Sequence, residues 1–90
     1  MKVRYLPRAI KDLENIRRYI AKDNPSAAWV VASFIRSSIR SLVNMPHRGR
    51  ATEEKNVRRL VVTNYPYVVN YRVQGKDIVI LTVMHARQNR

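Results

Sequence analysis

The side chain best suited to moving a proton at neutral pH in this sequence is His85, because an imidazole ordinarily titrates at about 6.5. Arg87 follows it closely, and Arg58 and Arg72 lie in two other strand-like runs. A histidine among guanidiniums suits phosphoryl transfer. Cleavage of RNA by its own 2′-hydroxyl needs a base for that proton, a cation for the phosphorane and an acid for the leaving oxygen. Arg58, His85 and Arg87 are the catalytic candidates if the chain is a nuclease. A plainer role is open for His85, hydrogen-bonding the backbone and orienting the tail. His47 lies in a polar loop, Glu53 and Glu54 read as solvated, and Gly49 and Gly75 are too isolated to cradle a phosphate. Two distant histidines without cysteine give no metal signature, so neither a metal nor another cofactor is expected.

The elements that must position these residues follow from period and punctuation. Lys2 to Leu6 reads as a short strand ended by Pro7. Ile10, Leu13, Ile16, Tyr19 and Ile20 recur three or four apart, which predicts an amphipathic helix from Arg8 to about Lys22 with Pro7 at its first position and a poor cap in Leu6. Asn24-Pro25 caps and starts a second helix with almost no linker, so the pair must fold back as a hairpin. Its stripe is Ala28, Ala32, Ile35, Ile39 and Leu42. The charged stretch MPHRGRATEEKN, 45–56, ends it as an exposed loop, and Val57 to Val62 is the next strand.

The last two strands, Tyr67 to Gln74 and Ile78 to Met84, are joined at Gly75-Lys76. Strict alternation then sets Tyr71 opposite Ile80, Val69 opposite Thr82 and Tyr67 opposite Met84. One face, with Tyr67, Val69, Tyr71, Val73, Ile78, Ile80 and Met84, receives both helices. The other carries Val68, Asn70 and Arg72 beside Val79, Leu81, Val83 and His85, and two short helices cannot cover it as well. That second face, with Arg58, Arg72, His85 and Arg87 on one side of the sheet, is the expected partner site. Tyr19 is expected in the core with Tyr67 and Tyr71, and Trp29 at the hairpin's outer edge.

Eighteen Lys plus Arg, thirteen of them Arg, oppose six Asp plus Glu for a net charge of +12, which implies an anionic partner, nucleic acid or acidic polypeptide. Cysteine is absent, no apolar run approaches the ~18 residues of a membrane span, and charges come too early for a signal peptide. A single cytoplasmic domain over 1–90, with no membrane partner, is the expectation.

Four blocks carry a family resemblance. The runs NVRRLVVTNYPYVVNYRV and IVILTVMHARQNR resemble the C-terminal half of the RelE/ParE superfamily of type II toxin–antitoxin toxins; AIKDLENIRRYIAKDNPSAA resembles its helical hairpin and MPHRGR its following loop. The resemblance implies an α+β domain of order β-α-α-β-β-β with the hairpin on one face of a small antiparallel sheet. It also implies growth inhibition, plasmid stabilisation, and a hetero-oligomeric complex with an antitoxin encoded beside the toxin. RelE-like members cut messenger RNA on the ribosome, whereas ParE-like members poison DNA gyrase. The cutters carry an arginine just after an aromatic in the third strand, where Val68 follows Tyr67 here, and a tyrosine beyond the last strand that this sequence lacks. The ending HARQNR resembles the ParE branch. The reading is therefore a ParE-like gyrase poison, with antitoxin- or target-binding residues Arg58, Val68, Arg72, Leu81, Val83, His85 and Arg87. The alternatives are a ribosome-dependent endoribonuclease and a small non-toxic nucleic-acid-binding module.

Overall fold

A computed structural model describes residues 1–88, so the last two residues of the HARQNR tail lie outside the described residues. Chain order is β1 (Lys2–Tyr5), α1 (Pro7–Ala21), α2 (Pro25–Arg40), β2 (Arg50–Ala51), β3 (Arg58–Val61), β4 (Tyr67–Gln74) and β5 (Asp77–His85), with 3₁₀ turns at Ser41–Val43 and Ala86–Gln88. The expected order of strand, two helices and three strands is present, and β2 adds a two-residue edge.

The helix boundaries obey the local signals. Leu6 takes the cap position of α1 without a side-chain hydrogen bond and Pro7 starts the helix. Glu14 holds the exposed face together, accepting from Arg17 and Arg18. Those contacts, the Arg17 hydrogen bond foremost, hold its carboxyl below the usual range. Asn24 caps α2, its Oδ1 accepting from Ala27 N at 3.0 Å.

The sheet runs β1-β5-β4-β3-β2. All neighbours are antiparallel except β1 and β5, so the sheet is mixed rather than wholly antiparallel. The exception is β1, which lies parallel beside the closing strand β5 before the chain leaves the sheet for the helical hairpin. Ala9, Leu13, Val31, Ile35, Ile39 and Leu42 from the helices meet Leu60, Val69, Tyr71, Ile78 and Ile80 from the sheet as one core. Among the described residues no helix is long and apolar enough to cross a membrane.

The β4–β5 hairpin corrects the expected register. Gly75, at φ 60°, and Lys76 form the turn, and Gln74 faces Asp77 and Tyr71 faces Ile80 as expected. Beyond that a β-bulge intervenes between Asn70 and Tyr71, so Val69 faces Val83 and Tyr67 faces His85. The unpaired extra residue is Leu81. One extra residue in a period of two reverses every later side chain. Val83 and His85 therefore turn to the helix side, while Thr82 and Met84 join Val79 on the outer face.

This reassignment changes what the outer face is. Val68 and Val79 on it are only 4% and 0% exposed, and a polar ladder crosses three strands from Arg59 through Asn70 to Thr82. The large apolar side chains left in solvent are mostly elsewhere: Ile10 and Tyr19 on α1, Trp29 and Val30 on α2. Tyr19, expected in the core, is 73% exposed because the buried stripe of α1 runs through Ala9, Leu13, Ile16 and Ile20 and leaves it on the flank. Ile10, placed in the same predicted stripe, is exposed for the same reason. Trp29 is exposed too, with the Arg17 guanidinium 5.5 Å from its ring centroid.

Candidate functional site

The seven residues singled out from the sequence are dispersed over the sheet and its end. Val83 and His85 line a groove between α1 and the far half of β5. Arg58 lies at the other end of the sheet beneath the loop after α2. Val68 and Arg72 belong to the outer face, Leu81 sits at the bulge, and Arg87 is exposed in the terminal turn. They do not share one side of the sheet.

The groove exists because β1 is short. It pairs with β5 only at Asp77 to Ile80, and Leu6 donates to Ile80 O as the chain leaves the sheet to begin α1. The rest of β5 has no strand on that side. Asp12 of α1 fills the backbone gap, its Oδ2 accepting from Val83 N at 3.0 Å while Oδ1 accepts from Arg8 Nε at 3.1 Å. Above this contact opens a groove of about 630 Å³ lined by Arg8, Asp12, Asn15, Ile16 and Tyr19 on one wall and Tyr67, Val83, Met84 and His85 on the other. His85 stands edge-on to Tyr67, with ring centroids 5.6 Å apart, and its Nδ1 accepts from Arg87 N. Burial, with Tyr19 adding to it, pushes the Tyr67 hydroxyl pKa upward. The groove thus offers aromatic and apolar surface with polar groups of both signs at its rim, a composition suited to a polypeptide segment.

Arg58 does different work. Its Nη1 donates to His47 O and Gly49 O, at 3.2 and 2.7 Å. Beside it the Tyr71 hydroxyl donates to Pro46 O and accepts from Gly49 N, both at 2.8 Å. Burial raises the pKa of that hydroxyl against the opposing pull of its Gly49 hydrogen bond, Arg58 and Arg48. Gly49 is required here: an added Cβ would stand 2.6 Å from Tyr71 Cε1 and Oη. The loop backbone is clamped, and Arg58 is part of the clamp.

Arg58 and His85 are consequently remote. Arg58 pairs with Tyr71 and His85 with Tyr67. That places them roughly 13 Å apart along the strands and roughly 10 Å across them. Arg72 hydrogen-bonds Gln74 at the outer face, and Val68 lies between Val61 and Met84 in the register. Asp12 and Asn15 complete the groove without having been singled out, and Tyr19, expected in the core, stands on its wall. Asp12, an acid amid the helix with a basic partner four residues before it, reads in sequence as an ordinary surface ion pair.

Similar proteins carry this same frame. The family described as ParE toxin of type II toxin–antitoxin system, parDE, matches residues 3–90. Y4kP of Sinorhizobium fredii is 40% identical over 87 residues, covering 97% of this chain and 90% of its own length. Toxin RelE2 of Caulobacter vibrioides is 38% identical over 79 residues, 88% of each chain. Among solved structures, the chromosomal ParDE toxin–antitoxin system from P. aeruginosa superposes with a TM-score of 0.83 at 28% identity, over 94% of this chain and 95% of that one. The RelB–RelE antitoxin–toxin complex of Methanococcus jannaschii shares the fold, with a TM-score of 0.58 at 18% identity over 96% and 93%. A match over nearly the whole length, on a β-α-α-β-β-β frame that the fold shows independently, leads to one conclusion: the chain belongs to the ParE family of type II toxin–antitoxin toxins.

Proposed function

We propose that this toxin arrests growth by binding, as a ParE-like poison of DNA gyrase in the cytoplasm, and that an antitoxin encoded beside it neutralises it. The observation that carries the reading is the distance between Arg58 and His85. General acid–base cleavage requires its groups within hydrogen-bond reach of one phosphate, and these two flank β4 from opposite sides at positions four residues apart, Tyr71 and Tyr67, with Arg58 already donating to loop carbonyls. Binding needs only surfaces.

The groove between α1 and β5 is the antitoxin-contacting surface in this reading. Val83 and His85 act there as antitoxin-binding residues, with Tyr19 as an exposed aromatic anchor of the kind that dominates interface energies. An acidic segment would also meet Arg8 at the rim. Leu81 and Arg72, above the buried Val68, offer the outer sheet face as the surface for the target, with Arg87 exposed in the terminal turn as a further contact. The kinship with chains named RelE keeps a second reading alive, ribosome-dependent cleavage of messenger RNA through Arg58, His85 and Arg87.

The two part in one experiment. The chain is induced with and without a small acidic neighbouring reading frame while messenger RNA integrity, the DNA-damage response and supercoiling by purified gyrase are followed. Arrest relieved by the neighbour, with intact messages and trapped gyrase–DNA complexes, is the expected result. Cleaved translated messages that disappear with His85→Ala would overturn it.

A further inference from the structure

The clamped loop stands beside a basic surface that lies outside the groove between α1 and β5. From Asn24 to Thr52 the sequence contains no acidic residue, yet it carries Arg36, Arg40, Arg48 and Arg50. Arg36 and Arg40 are exposed one turn apart at the end of α2. Both lie close enough to the Tyr5 phenol to favour its ionised form against the burial that opposes it. Arg48 Nη1 donates to Ser41 Oγ at 2.8 Å, which sets its guanidinium beside the end of the same helix. Arg36, Arg40 and Arg48 thus form one band across the helix end and the loop that abuts it.

We propose that this band is a docking surface for the phosphodiester backbone of a nucleic acid. Folding alone does not explain it. Like charges one turn apart on a helix repel, and the attraction of the helix C-terminus for cations accounts for Arg40 but falls off within the last turn. Among the described residues, the carboxylate ion pairs join Arg4, Arg8, Arg17 and Arg18, and none reaches Arg36, Arg40 or Arg48. An acidic polypeptide fits less well. Protein interfaces are built around a desolvated apolar or aromatic centre, and here the residues between the guanidiniums are Ser37 and Ser41, with Met45 only at the border. Arginine, serine hydroxyl and a rigid backbone are what phosphate contacts use. The clamp adds preorganisation, since Arg48 projects from a loop whose backbone is already fixed.

This inference does not depend on which cellular target the toxin has. The test is fluorescence anisotropy of the full-length chain with a short random-sequence duplex DNA, a single-stranded RNA and poly-glutamate, from about 50 to about 200 mM salt. Arg36→Ser with Arg40→Ser should weaken binding to nucleic acid at least tenfold and flatten the plot of log affinity against log salt by roughly 2. Lys11→Ser with Lys22→Ser removes the same charge from exposed positions on and just beyond α1 and should change little. Arg36→Lys with Arg40→Lys should restore the slope. Thermal melting of each variant checks that the exposed substitutions leave the fold intact. Tighter binding to the duplex than to the single strand, or the reverse, identifies the preferred backbone; either supports the proposal. Equal weakening by the serine and lysine-to-serine doubles, failure to bind either nucleic acid, or equal Arg36/Arg40-dependent binding to poly-glutamate would overturn it.

Discussion

At the loop end, Tyr71 and Arg58 make four hydrogen bonds to the backbone of residues 46–49. At the groove end, a single carboxylate, Asp12, closes the exposed half of β5. Both ends bring charged side chains to solvent, but the first holds them on a backbone that cannot relax and the second on a surface that can. Buried, fully satisfied polar networks specify one conformation; partly covered edges leave room for a chain that supplies its own backbone groups. The difference separates a surface made to present charge from one made to receive a segment.

Substitutions sharpen that contrast, and the largest effect is expected at Gly49. Gly49→Ala forces a methyl into the Tyr71 ring and should cost about 3 kcal/mol, read from the denaturant midpoint. Tyr71→Phe comes next. It removes both hydroxyl contacts and leaves Gly49 N without its acceptor, so a loss of about 2 kcal/mol is expected at neutral pH. The same variant carries a pH signature. The Tyr71 pKa is raised in the folded state, so the protonated hydroxyl stabilises the fold below the ordinary tyrosine value of 10.0, and that contribution is lost as pH rises through the raised value. Wild-type stability should fall above about pH 10, and more shallowly in Tyr71→Phe.

At the groove end the costs are smaller. Asp12→Ala strands Val83 N in a partly exposed position and should lose about 1 kcal/mol, with faster amide exchange at Val83 as its local mark. Tyr19→Ala should leave stability within about 0.5 kcal/mol, since the ring is in solvent, yet weaken the antitoxin complex by tenfold or more in a titration. If Tyr19→Ala unfolded the chain, or Gly49→Ala left it unchanged, the distinction between the two ends would be wrong.

The sequence made the helical hairpin and the outline of the sheet readable, because local chemistry decides them: Asn24-Pro25 can hardly do other than end one helix and start the next. The direction of β1 was not readable from its four residues, since pairing is a long-range choice. Alternation failed at Leu81 because Ile78 to Leu81 is apolar throughout, so no residue marks itself as the unpaired one. The candidate site inherited that error at Val83 and His85. Arg58 was readable as a cation in a strand, but its commitment to loop carbonyls depends on closing a connection of seventeen residues between Arg40 and β3, which spacing cannot show. Nothing in the sequence marks Asp12 as the acceptor for a backbone amide of β5, which lies 71 residues away.

The bulge at Leu81 bears on how relatives of this protein are compared. Aligned columns are commonly equated position by position, but past an unpaired residue a column no longer specifies a direction. A homologue without it would carry the same histidine at the matching column and aim it at the opposite surface, so transferring a role for His85 requires counting strand residues first and reading letters second.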